Sequence, residues 1–487
     1  MRKGPPGGPD VPENRLTETH SGPWRPYELW RETSMKAGHH ASTVPVERCG
    51  IEPVPAGLKT VGFWDQFSIF INFLINPSVM LHGGAAVAMG LSFQAACLAV
   101  GVGTLSALVP YTVMTRIGVD YGIPGQVAAR ISFGIRGAQL IPSAARVICS
   151  IYFFALNTLI GTIALHTLFV QATGRDLPLS LIGMLFGVLQ ILFAVLGYDW
   201  LKTMSRFVLP LKLCAILYLA GLLATHPGPE FRPLAVWHYQ GSQPWSWGII
   251  AVWFNTSCSS WLSMITDAAD FCRYSRSRRA TYWGVGLASV CGTLVAAVFG
   301  AYAAACVLGT SGNVFTILSS TYPQAGVLVV IFVLLLLDNV SINSLNIYTG
   351  GLALENMLPA LNRATATMAV SVVGILLSGS QDVVSHLIQY IDVIGSMFAP
   401  ISGIIIADIV YLHRWRINTS QLFDPAGPYW YWHGFNRSAL ACMAGGMVLY
   451  YLVIPPSLLK PLLTFVVTGG AYMLLSGFER AGTVARH

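Results

Sequence analysis

The sequence predicts an all-α integral membrane protein with twelve transmembrane helices. Three observations carry this: a scarcity of charge, a series of apolar runs of bilayer length, and two such runs interrupted at matching places. The 487 residues are 54% hydrophobic and 10% charged, whereas a soluble protein carries roughly 25% charged residues. Fifteen of the charged residues fall in the first 60 positions, so the remainder is poorer still. Such a chain cannot cover a water-soluble surface, which excludes soluble enzymes, fibrous proteins and disordered chains. The net charge of +7 does not mark a nucleic-acid binder, because the basic residues fall in short loops between apolar runs. The nine cysteines show no metal-ligand spacing and lie mostly in apolar stretches, as small hydrophobes do.

Residues 1–60 are dominated by Gly, Pro and charge and read as a largely disordered cytoplasmic tail, with no apolar run of a cleavable signal. A span takes about 20 mostly apolar residues. That measure gives spans at 63–89, 93–117, 138–170, 178–197, 204–225, 246–269, 281–309, 324–354, 363–380, 383–411, 437–455 and 459–477. The organisation is a first set of five spans over 61–225, a second over 246–411, two further helices over 437–477, and a tail at 478–487. Arginine and lysine gather in the even-numbered loops: Arg116, Arg130 and Arg136; Lys202 and Arg206; Arg273, Arg276, Arg278 and Arg279; Arg363; then Arg414, Arg416 and Arg437. Odd-numbered loops hold only Arg175, Arg232 and Lys460. Positive loops stay inside, so both termini are expected in the cytoplasm, which an even number of spans also requires.

Two spans read as broken. Span 1 carries Asn76-Pro77 at its centre, and proline neither donates to the helical ladder nor tolerates helix at the residue before it. Span 6 carries the polar run Asn255 to Ser260, whose side chains compete for the backbone. A proline kink and a small-residue packing face would explain each alone. Interruptions at corresponding positions of two halves point instead to a transporter binding site at mid-membrane. Span 8 adds Asp338, Asn339, Ser341, Asn343, Ser344 and Asn346 inside an apolar run. An ionisable group at that depth is costly and suggests function: Asp338 can pair a cation, carry a proton or bond a neighbouring helix. Asp392, His82, His166 and His386 are weaker cases, near span ends or in ordinary contacts. Asp267-Ala-Ala-Asp270-Phe-Cys-Arg273-Tyr closes span 6. Its DxxD pair resembles a magnesium-diphosphate motif of membrane prenyltransferases, but that chemistry wants a second acidic motif, and a gate or loop anchor is the plainer reading.

Several motifs together resemble one family. MGLSFQAACLAV follows span 1; ARISFGIRGAQLIPSAARVI covers 129–148; DAADFCRY covers 267–274; APISGIIIADIVY covers 399–411; and YWYWHGFNRSALACMAGG begins at Tyr429. In this order they resemble the nucleobase:cation symporter-1 family, the permeases for cytosine, purines, uracil, allantoin and hydantoin. The resemblance runs through spans 1–11. It implies two five-helix inverted repeats with broken spans 1 and 6, followed by two extra helices. It also implies import of a planar heterocycle by alternating access, coupled to H⁺ or Na⁺, across the cytoplasmic membrane, with no cofactor and no obligate protein partner.

By the same resemblance, Phe153 and Trp261 would stack on the heterocycle, while Asn157 and Asn343 would bond its polar edge and Asn76 would add a contact. Two aromatic faces suit a planar ring, and carboxamides offer donors and acceptors to lactam edges. In sodium-coupled members the cation lies between carbonyls of the span 1 break and a carbonyl and two adjacent hydroxyls of span 8. Here those positions fall on Asp338, Ser341 and Ile342, so one hydroxyl is missing and an acid is present. Proton coupling through Asp338 is therefore expected, with sodium near Asp338 and Ser341 as the alternative. An amine or amino-acid symporter of the same fold stays open because Asp338 could meet an amine, and a prenyltransferase-type enzyme is a more distant alternative.

Overall fold

Proline at 77 removes a backbone donor at the point where span 1 would otherwise continue, and the chain responds there. The computed structural model describes residues 49–194, 198–307, 309 and 311–484. Within it, α1 (Phe63–Leu74) stops two residues short of α2 (Pro77–Ala88), and the two are bent by 44°. Asn76 is extended and its side chain accepts from the Val79 backbone N–H, while Pro77 takes the first helical position, where its missing donor costs nothing.

The chain continues through α3 (Phe93–Tyr121), α4 (Pro142–Thr173), α5 (Leu179–Ala194) and α6 (Tyr198–Ala224). Next come α7 (Trp247–Leu262), the short α8 (Asp267–Cys272), α9 (Arg278–Cys306), α10 (Ala325–Met357) and α11 (Arg363–Ser378). The last helices are α12 (Leu387–Ile406), α13 (Arg437–Val448) and α14 (Lys460–Val484). Six helices among the described residues are long and apolar enough to cross a membrane, seven with α1 and α2 taken as one bent span. Shorter apolar helices cover Leu179–Ile191, Arg363–Ser378 and Arg437–Val453.

Span 6 differs from expectation. The polar run from Asn255 to Ser260 lies inside an unbroken α7, and the interruption falls later, at residues 263–266. The reason is local. The hydroxyls of Ser260 and Ser263 give their protons to the Thr256 and Ser260 carbonyls, which leaves the helical ladder intact. Residues 49–61 are seated against the bundle, with Val54 N–H on Gly122 O at 2.9 Å and Lys59 Nζ on Val119 O at 2.7 Å. The disordered tail expected further upstream lies outside the described residues for positions 1–48. At the other end α14 continues past 477 to Val484.

α9 crosses both α1 and α2, α10 runs along α4, and α3 packs on α7 and α9. Glycine permits the tightest of these crossings. A Cβ on Gly300 would lie 1.9 Å from the Met80 carbonyl oxygen, and one on Gly83 would lie 2.3 Å from that of Ala297. Backbones that close gain dispersion contact where lipid offers no hydrophobic drive. Outward faces stay apolar: Phe207, Leu217 and Leu376 are 71%, 72% and 71% exposed. The charged residues Arg146, Lys212, Asp267 and Asp338 are fully buried. Polar inside and apolar outside is the arrangement that lipid imposes.

Candidate functional site

The break between α1 and α2 is held by one side chain. Asn76 Oδ1 accepts from Val79 N–H at 3.1 Å, and its Nδ2 donates to Phe73 O at 2.6 Å. Asn76 thus serves the first orphan donors of α2 and a terminal carbonyl of α1 together. Beside it lies a cavity of about 30 Å³. That space admits a few waters and no planar ring, so the helices around it must part before a ring enters.

Asn76, Phe153, Asn157 and Trp261 all line this cavity, so four of the five residues expected at a substrate site converge. Phe153 and Asn157 come from α4 and Trp261 from α7. Asn157 accepts from Ser78 Oγ at 2.7 Å and donates to Phe153 O at 2.8 Å. Asn343 does not line the cavity. Its amide donates to Thr158 Oγ1 at 3.0 Å and Gln190 Oε1 at 2.5 Å, which stitches α10 to α4 and α5. Asn346, three residues on and so on nearly the same face, lines the cavity and donates to Asn343 Oδ1 at 3.3 Å. Ser78, His82, Ser260 and Met264 line it as well.

The two residues expected at the coupling site have different partners. Ser341 gives its hydroxyl proton to Leu337 O in its own helix. Asp338 forms an ion pair with Lys212 of α6 at 2.7 Å, both side chains fully buried. The same ammonium donates to Asn72 O at 2.7 Å and Ile75 O at 2.9 Å. These are carbonyls that the end of α1 leaves without helical donors. Lys212 is the functional candidate that the sequence reading overlooks. Its signal is a lone lysine within the apolar run VLPLKLCAILYLAG, which a bilayer tolerates only with a partner.

The DxxD segment is bonded to neighbouring protein groups. Asp267 pairs with Arg146 of α4 at 2.8 Å, and Arg146 also donates to Thr349 Oγ1 at 2.8 Å and Ser263 O at 3.3 Å. Asp270 accepts from the Gly125 N–H at 2.8 Å. Arg273 donates to Cys49 O at 2.8 Å and to the Tyr348 hydroxyl at 2.9 Å. These carboxylates are taken up by protein groups, and no cluster of three potential metal ligands occurs among the described residues.

Comparison with known proteins yields consistent matches. The family profile described as permease for cytosine/purines, uracil, thiamine, allantoin matches residues 53–474. A hydantoin permease of Microbacterium maritypicum is 25% identical over 444 residues, covering 86% of this chain and 85% of the relative. A putative allantoin permease of Escherichia coli (strain K12) is 24% identical over 467 residues, covering 87% and 93%. Among solved structures, Mhp1, a nucleobase-cation-symport-1 family transporter in a closed conformation with bromovinylhydantoin bound, superposes with a TM-score of 0.75. Its identity is 22%, and the match covers 88% of this chain and 94% of Mhp1. A Na⁺-coupled sialic acid symporter shares the fold at a TM-score of 0.62 and 12% identity, covering 86% and 89%.

Proposed function

This chain belongs to the family of permeases for cytosine and purines, uracil, thiamine and allantoin, and from that premise we propose that it imports a nucleobase or related planar heterocycle together with protons. It is a multi-pass membrane transporter and not an enzyme. The observation that carries the substrate reading is the cavity beside the α1–α2 break, lined by the aromatic rings of Phe153 and Trp261 and by the carboxamides of Asn76, Asn157 and Asn346, which would exchange their bonds within the protein for a ring's edge as the helices part. A ring between such groups is recognised by stacking and by hydrogen bonds at its edge. Asn346 takes the place first assigned to Asn343, which acts behind it.

Lys212 supports proton over sodium coupling. Its ammonium satisfies the Asn72 and Ile75 carbonyls and the Asp338 carboxylate, oxygens that would otherwise suit a small cation. A metal ion there would have to displace a covalently tethered charge. A proton exchanged on the Lys212–Asp338 pair needs no such displacement. An amine substrate is disfavoured, because Asp338 is committed to Lys212 and does not line the cavity. The wider architecture we assign is twelve spans in the cytoplasmic membrane, residues 61–225 and 246–411 as inverted repeats, and 437–477 as two added helices.

Proteoliposomes with separately imposed gradients test the coupling. Uptake of the accepted ring should follow an inward proton gradient and be indifferent to sodium, and Asp338→Asn should abolish or uncouple it. Sodium-driven uptake at constant pH would refute the proton assignment.

A further inference from the structure

The cavity's polar side chains are nearly all bonded within the protein. Asn76 is spent on the two helix ends, Ser78 on Asn157, Asn157 on Phe153 O, and Ser260 on Thr256 O. His82 of α2 is different. It is 2% exposed, lines the cavity, and its Nε2 has no hydrogen-bond partner among the described residues. A buried polar atom left so is costly and calls for a partner.

The other ring nitrogen is held. His82 Nδ1 lies 3.3 Å from Ser257 Oγ on α7, and the Trp253 ring sits 5.6 Å away, inclined at 48°. Ser260 and Ser263 nearby give their protons to helix carbonyls, whereas the Ser257 hydroxyl is directed at the imidazole. With Nδ1 accepting that proton, the neutral ring carries its own on Nε2.

We propose that His82 is a specificity residue whose Nε2–H donates to a carbonyl oxygen or acceptor nitrogen on the substrate ring, and that it selects rings bearing an acceptor at that edge. Resting on the heterocycle reading above, this narrows the substrate class to rings that carry a carbonyl oxygen or acceptor nitrogen at that edge. A site that offers a fixed donor discriminates against analogues lacking the acceptor.

Binding to purified full-length protein tests it, with hydantoin compared against 2-imidazolidinone and 4-imidazolidinone, which each keep one of its carbonyls. Uracil compared against 2- and 4-pyrimidinone forms a second set. The native protein should prefer the dicarbonyl ring over both analogues. His82→Leu should weaken the dicarbonyl ring by about tenfold and erase the preference over one analogue while keeping the other. His82→Gln, which restores an N–H, should keep both preferences, and Ser257→Ala should lose part of the one that His82→Leu erases. If the leucine variant fails to fold, Ser257→Ala decides, and an unchanged preference there overturns the assignment. Survival of both preferences in His82→Leu, or their equal loss, overturns it too. Binding of no ring by the native protein overturns the heterocycle reading and His82 with it. A ring bound identically by the native protein and His82→Leu overturns His82 alone.

Discussion

At Lys212 a single ammonium meets three oxygens, two from the end of α1 and one from Asp338. Removing one member of a buried pair leaves the other charge without compensation, at a cost of about 3–5 kcal/mol. Lys212→Met should therefore lower the thermal midpoint sharply in detergent, and Lys212→Met with Asp338→Leu should recover most of the loss while transport stays uncoupled. A single variant as stable as the native protein would mean that the pair is not closed in solution. Asn76, Phe153, Asn157 and Trp261, which the family resemblance implied, do meet at one cavity. Asn343 lies nearly one turn from Asn346, which lines the cavity: positions i and i+3 share a helix face, and only packing decides which one meets it. Lys212 escaped notice because its carbon stem reads as apolar and its partner lies 126 positions away in the chain.

The elements that shape the site are the two joints. The α1–α2 joint was legible from Asn76-Pro77 because proline acts on its own backbone. The α7–α8 joint was placed too early, since serine and threonine can either break a helix or bond back into it, and neighbours choose. Close crossing of α2 and α9 fixes where the first joint sits. Gly300→Leu, with its Cβ forced to within 1.9 Å of Met80 O, should separate the helices and destabilise the protein by at least about 1–3 kcal/mol. Heat-induced loss of monodispersity on size exclusion would report this, and an unchanged midpoint would show that α9 can shift freely.

Over the described residues as a whole, large apolar side chains such as Phe207, Leu217 and Leu376 face outward while the Arg146–Asp267 and Lys212–Asp338 pairs are fully buried. Composition alone revealed this, because so few charges leave no other solution. The seating of residues 49–61 was not legible: Gly and Pro content spoke for disorder, and contacts such as Val54 N–H to Gly122 O depend on distant loops. From the loop arginines we propose that both termini lie in the cytoplasm. An epitope fused at either end should therefore be stained only after cells are permeabilised. Staining of intact cells would reverse the orientation.

Asn76 lines the cavity, and the adjacent Ile75 carbonyl is gripped by Lys212. Solute and proton would thus be felt by consecutive peptide units of one strand of backbone. Whatever free energy the ring gains from a charged Lys212, the proton gains equally from the bound ring, because linkage between two ligands is reciprocal. The slope of solute affinity against pH and the number of protons taken up on solute binding are then one quantity measured twice.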